Sequence, residues 1–445
     1  MIEHTKQIIE TLYPMNACLL GEGYDNRLEY LKKLIDLEVI EIPSGTQLGT
    51  WTVPDEWIIR DAWIRNENTG EMVAEYKKEP LSLVVGSVPQ HCIVSKEELV
   101  KNLHYSNEEP GATPYVFKYY EKDWGFCLPK SKIIETLSEG EKEYLPSGEE
   151  VFKSKIKNVL PEGMYEVFID SEFVPGTMKI GVHTIKGKSD KEILLFAHLD
   201  HPFQANDNLS AVACLTDLAT KIKANHTIKI VFCPETIGSL GYALTQDLSK
   251  VDFMVAVDIC GNSGDILLQK SFDKEAVINR AAHLAIHGVG ESYRKGEFRN
   301  TIGSDEYAFN DPLVGIPGIL LSTWPYNEYH TNGDTPDKID YKSIEKMQKV
   351  VQDVIDIYEK NFIPKRNFKG QLHRSKYLIE TSSKQVNLSW DFFFYSIDGK
   401  KSLVELCSDF GLNFEYVYQL MLKMEANGDI SRVNPSKTKV KKTSK

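Results

Sequence analysis

The sequence predicts an α/β protein: a mostly parallel mixed sheet with helices on both faces, an inserted β-rich domain, and a C-terminal winged helix-turn-helix. Three observations predict it. Beyond about residue 160, apolar runs of strand length alternate with helical patterns, as parallel strands joined by crossover helices require. From about 50 to 125 the pattern shortens to alternating runs such as Trp57-Ile58-Ile59-Arg60-Asp61-Ala62-Trp63-Ile64, broken by Asn66, Asn68 and Gly70. After Pro364-Lys365-Arg366 the character changes again, and two amphipathic segments, 401–410 and 413–427, meet at Gly411.

Taken in order, residues 1–38 read as two helices separated by Gly21-Glu22-Gly23, with Ile8, Ile9 and Leu12 on one face and Leu28, Leu31, Leu34 and Ile35 on the next. Strands are expected at 192–198, 227–233, 252–258 and 317–323. Helices are expected at 209–223, 239–248, 274–288 and 341–362. The domain reading is 1–49 with 126–364 as one discontinuous unit, 50–125 as the insertion, 365–436 as the winged helix, and 437–445 as a basic tail.

Composition narrows the function. A chain of 445 residues with 42% hydrophobic and 26% charged residues has the balance of a soluble protein of two or three domains. A net charge of −12 argues against a surface built to hold nucleic acid, which needs concentrated Lys and Arg. The seven cysteines are odd in number, scattered, and never in a C-x-x-C pair, so reduced thiols are expected rather than disulfides or a thiolate zinc knuckle. With no signal-like start and no apolar run approaching about 20 residues, a cytoplasmic protein without membrane contact is expected.

Polar groups gather at the carboxyl ends of the four expected strands, where such sheets carry their chemistry. His198-Leu199-Asp200 ends the first, Glu235 follows the second, Asp258 ends the third, and His330 follows the fourth. Imidazole and carboxylate in this arrangement point to zinc or a similar metal. Asp207, at the start of the helix expected from 209, is placed to cap that helix with one oxygen and bridge metals with its carboxylate. Asp200, two residues past His198, is placed to hold the other imidazole nitrogen.

These pieces resemble the zinc aminopeptidases of the group that includes glutaminyl cyclases, through "HLD" at 198–200, "ANDNLSA" at 205–211, "PETIGSLG" at 234–241, "VDICG" at 257–261, "GSDEYAF" at 303–309 and "YHTNGDTPDKID" at 329–340. With "WTVPDEW" at 51–57 and "DWGFCL" at 123–128, the chain resembles a bacterial subgroup carrying an inserted domain and a C-terminal winged helix. The resemblance implies a first metal position held by His198, Asp207 and Asp258. Asp207 would bridge to a second position held partly by His330, and Glu235 would be the general base. Two departures stand out: Thr236 replaces the glutamate that usually ligates the second metal, and Glu306 stands where a histidine is common. One zinc, two zincs, or Glu235 as a ligand with Glu306 as the base are all open on these residues.

The activity implied is hydrolysis of an amide bond at the amino end of a peptide or peptide-like substrate, with Thr331, Gly303 and Ser304 shaping the pocket by analogy. The insertion is expected to roof the site. The alternative is a metal-binding pseudoenzyme or regulatory module acting through the winged helix. In the second helix of that unit Lys423 is the one base against Glu415 and Glu425, which favours a protein contact, within the chain or with a partner or second copy, over DNA.

Overall fold

In the computed structural model, which describes residues 2–144, 150–290, 293–377 and 388–433, an eight-stranded mixed sheet organises the chain. Its order is Glu38–Pro43, Thr177–Ile185, Thr227–Cys233, Glu192–His198, Val251–Val257, Gly318–Ser322, Ile266–Gln269 and Tyr293–Gly296. The four strands expected from sequence are its parallel centre. Antiparallel partners flank them on both sides.

Both faces of these central strands are covered, which is why they read as continuous apolar runs. Along Glu192–His198, the side chains of Ile193, Leu195 and Ala197 join a core with the helices Ile2–Leu12, Ser210–Ala219, Val277–Gly288 and Tyr341–Glu359. Leu194 and Phe196 point the other way, into a second core with Ile237 and Tyr242 of the helix Ile237–Thr245 and with Phe309. Each fully buried Leu, Ile or Phe among them contributes about 1.5–3 kcal/mol. The parallel register then decides where the polar residues fall. It sets His198 beside Cys233 and Val257 beside Leu321, so the residues that follow emerge together at one edge.

A second, four-stranded antiparallel sheet runs in the order Met72–Glu75, Glu56–Asn66, Met164–Val174, Gln90–Ser95. Met164–Val174 lies outside the 50–125 range read as the insertion. The 11-residue strand Glu56–Asn66 buries Ala62, Ile64 and Asn66 and needs a partner of its own length, which Met164–Val174 supplies. Their shared core takes in Tyr165, Val167 and Ile169 along with Leu83 and Phe126.

At the C-terminus, Leu403–Phe410 starts at a capping box of Ser402 and Glu405 and ends at Gly411, whose φ of 61° is the left-handed conformation glycine adopts cheaply. Phe414–Ala426 follows, and Ile430–Val433 pairs antiparallel with Ile363–Arg366. These helices pack into the chain itself: Leu403, Val404 and Leu406 share the core of Ile278 and Ala281, and Arg280 pairs with Asp409 at 2.8 Å. The basic tail at 437–445 lies outside the described residues. Among the described residues, no helix is long and apolar enough to cross a membrane, and all seven cysteines are free.

Candidate metal centre

His198, the last residue of its strand, is 1% exposed, and its Nε2 lies 3.2 Å from Asp207 Oδ1 and 3.4 Å from Asp258 Oδ1. Its Nδ1 is 3.5 Å from Asp200 Oδ1. Asp200 also accepts the Glu235 N–H on its Oδ1 at 2.8 Å, so one buried carboxylate ties the His198 strand end to the backbone of Glu235. Glu235 itself is part-exposed at the cavity wall. His330 Nε2 lies 2.9 Å from Asp207 Oδ2.

The capping role expected of Asp207 is not made. The helix begins at Ser210 with Leu209 as its N-cap and no side-chain cap bond, while Asp207 sits at φ −110° and ψ 84°, outside helical geometry. Both carboxylate oxygens face imidazoles instead. The backbone here is held from below by Asp334, whose two oxygens accept the N–H groups of Asn206 and Asp207 at 2.7 and 3.0 Å. Asn208 accepts from the Ile259 N–H at 3.0 Å and donates to Val257 O at 3.1 Å, and Asn206 accepts from the Gly261 N–H at 2.7 Å. The two asparagines of the Asn-Asp-Asn run therefore staple this loop to the one carrying Asp258.

Three residues that the sequence reading passed over complete the arrangement. His201 places Nδ1 3.3 Å from Asp207 Oδ1 and Nε2 3.4 Å from Glu235 Oε2. Arg27, fully buried, donates to the carbonyls of Leu199, Asp200 and His201 at 2.7, 3.1 and 3.2 Å and to those of Met15 and Leu12 at 3.1 and 3.3 Å. Tyr115 packs edge-on against His201 and His330, and its N–H donates to His330 O at 2.7 Å. The available signals were a third histidine close after "HLD" and a lone arginine inside an apolar helical pattern; nothing local marks Tyr115.

The loops are strained where they carry these groups. Five of the six non-glycine residues with positive φ among the described residues are His201, Phe203, Thr236, Ile259 and His330. Such conformations cluster where surroundings hold them for function. Gly303 lines the cavity, whereas Ser304 and Thr331 do not. Glu306 does not line it either: its oxygens accept from Gln269 and the Ser304 N–H, both at 3.0 Å, and burial raises its pKa to about 7. Geometry thus leaves Glu306 poorly placed as a base.

Burial opposes charge on His201, yet Asp207 and Asp200 carry it up to about 10; His198 likewise rises well above the ordinary histidine range under Asp258, Asp200 and Asp207. Asp207 is buried too, but its imidazoles hold it far below the usual carboxylate range. The centre is built to hold positive charge. Both nitrogens of His198, His201 Nδ1, His330 Nε2 and Asp258 Oδ1 are buried without a hydrogen-bond partner, although buried polar atoms normally have one. Donor atoms of His198, His201 and Asp207 lie within 4.8 Å of one another, as do those of His198, Glu235 and Asp258. Imidazole nitrogen and carboxylate oxygen at this spacing fit zinc. Beside them opens a cavity of about 240 Å³, walled further by Ile302, Trp324 and Tyr329.

Comparisons with known proteins agree with this fold. A family model described as "Domain of unknown function (DUF4910)" matches residues 6–361. A Clostridium acetobutylicum protein provisionally named for polysaccharide biosynthesis, with an aminopeptidase-like domain, is 31% identical over 361 residues, covering 80% of this chain and 77% of that protein. A crystal structure of a provisionally named peptidase from C. acetobutylicum is similar with a TM-score of 0.77 at 27% identity, over 97% of this chain and 96% of the other. BSAP, a zinc aminopeptidase from Bacillus subtilis, is similar in fold with a TM-score of 0.55 at 14% identity, over 80% and 94% of the two chains.

Proposed function

The chain belongs to the family described as DUF4910, with the fold of the zinc aminopeptidases, and from that premise we propose that it is a zinc-dependent hydrolase cleaving an amide bond at the amino end of a peptide or peptide-like substrate. The single observation that carries the reading is the set of buried, unpartnered imidazole and carboxylate atoms around Asp207, opening onto a cavity with Glu235 in its wall. His198, Asp207, Asp258 and His330 would hold the metal. Zinc bound there would supply a Lewis acid that polarises the scissile carbonyl and makes water more acidic.

The chain's own residues account for the rest. Glu235 takes a proton from the attacking water on its carboxylate and returns it to the leaving nitrogen, so that amide and water become acid and amine. Asp200 is a positioning residue. By accepting the Glu235 N–H and facing His198 Nδ1, it fixes the base relative to the first imidazole. Arg27 holds the intervening backbone in place through three consecutive carbonyls. The cavity, at about 240 Å³, suits one residue's side chain rather than a long peptide segment.

The test is Glu235→Gln. Zinc content by elemental analysis should stay at the wild-type level, while hydrolysis of an aminoacyl-amide panel falls roughly 100- to 10,000-fold, the usual size of general-base catalysis. Loss of zinc together with activity would make Glu235 a ligand instead. Wild-type protein that binds zinc yet turns over no member of the panel would support the pseudoenzyme reading.

A further inference from the structure

We propose that Arg299 is the residue by which the site recognises a carboxylate on its substrate, so that the peptide-like molecule it takes is an acidic one. The inference rests on the hydrolase reading above and narrows its substrate class. Arg299 is the sixth non-glycine residue with positive φ among the described residues, at 59°. It is the third residue of a turn that the Asn300 N–H closes onto Glu297 O at 3.2 Å, the place where a turn with positive φ favours Gly or Asn. A long cationic side chain stands there at a cost to the backbone. Its return within the chain is one contact of a weak kind, a guanidinium 4.8 Å from the centre of the exposed Tyr307 ring.

The guanidinium sits at the edge of the cavity that holds Glu235. It lies against Gly303, where a side-chain carbon would overlap it, and Gly303 lines that cavity with Thr301 and Ile302. Phe298 and Tyr307, on either side of this stretch, wall a second, apolar cavity of about 610 Å³, so the segment carrying Arg299 contributes to both. Among the described residues the guanidinium makes neither a hydrogen bond nor an ion pair. The acid it acts on through space, Glu306, is buried and already accepts from Gln269 and the Ser304 N–H. Asp207, Glu235 and Asp258 line the Glu235 cavity, and among the described residues no lysine or arginine does. Pairing with a substrate carboxylate at its rim therefore falls to Arg299, whose planar guanidinium offers two parallel N–H groups to the two oxygens. That carboxylate is either the C-terminal group of a dipeptide or the side chain of an amino-terminal Asp or Glu.

Two matched pairs test this and separate the two sources: alanyl-phenylalanine against its C-terminal amide, and glutamyl against glutaminyl p-nitroanilide. Wild-type protein should favour the carboxylate member of one pair by roughly tenfold or more in kcat/KM, chiefly through KM, as a hydrogen bond between charged groups provides. In Arg299→Met the ratio should fall to about one, and in Arg299→Lys part of it should remain, with zinc content at the wild-type level in both. Added salt should shrink the wild-type ratio and leave that of Arg299→Met where it is, which a merely structural stack on Tyr307 would not produce. Titration calorimetry of the same compounds into Glu235→Gln protein reads the ratios as Kd without turnover. A ratio near one for both pairs in wild-type protein, or a ratio kept in Arg299→Met, would overturn the proposal and leave the hydrolase reading intact. A carboxylate preference in calorimetry that Arg299→Met removes, with no turnover of any compound by wild-type protein, would uphold the proposal and count against the hydrolase reading. Neither binding nor turnover of any compound would overturn the proposal.

Discussion

Replacing Arg27 with Met tests whether the site is held by the first helices of the chain rather than by its own strands. The guanidinium is completely buried, and among the described residues it has no carboxylate within hydrogen-bond reach and makes five hydrogen bonds, all to backbone carbonyls, three of them consecutive at residues 199–201. Burial pulls its pKa down to about 10, which leaves it charged at neutral pH. The carbonyls of Leu12 and Met15 keep the N–H groups of Met15 and Ala17, whereas those of Leu199, Asp200 and His201 lose their donor in the variant. At about 1–3 kcal/mol for each buried acceptor left unsatisfied, the gross cost is on the order of 3–9 kcal/mol. Removing a buried cation returns part of this as desolvation, so the net loss should be about 2–4 kcal/mol. Urea unfolding of the metal-free protein measures it, and elemental analysis should show weaker zinc retention, because the clamped segment lies between His198 and His201. Arg27→Lys should recover only part, since three donors on a point charge cannot span the same carbonyls. A stability change within about 1 kcal/mol with zinc unchanged would refute the reasoning.

Asp207→Ala should abolish zinc binding, because this carboxylate alone faces imidazoles with both oxygens; stoichiometric zinc in the variant would rule out its central role. Asp305 accepts the Thr236 N–H at 3.1 Å, and burial raises it to about 8. Its folded pKa lies above the unfolded value of about 3.9, so the folded state binds the proton more tightly, and the stability it contributes is present below pH 4 and lost as pH rises to 8. The metal-free protein should therefore weaken in urea from pH 5 to 8, less steeply in Asp305→Asn; equal slopes would sink the assignment. Tyr115→Ala should cost about 3–5 kcal/mol and lower zinc occupancy, whereas Tyr115→Phe, which keeps the ring contacts with His201 and His330, should change neither. Equal zinc retention in both Tyr115 variants, with stability intact, would show that the ring does not support the centre.

The sequence alone determined the central sheet, because strands buried on both faces must be apolar throughout and are visible as runs. Glu192–His198 and Thr227–Cys233 fall where their runs do. It also marked the polar residues that end those runs, since His198, Asp258 and Glu235 interrupt an apolar pattern at points where only a strand end tolerates them. What it could not reach depends on pairing across long stretches of chain. The 11-residue strand Glu56–Asn66 finds its partner about a hundred residues on, at Met164–Val174, so no local signal closes that sheet at 125. Asp207 looks like a helix cap in sequence, and only the loops around it, held by Asp334, Asn206 and Asn208, turn its carboxylate toward three histidines. His201, Arg27 and Tyr115 are inconspicuous in their own segments. They become part of one centre because strand register brings distant loops to the same edge, where a buried donor must find its partner in three dimensions rather than along the chain.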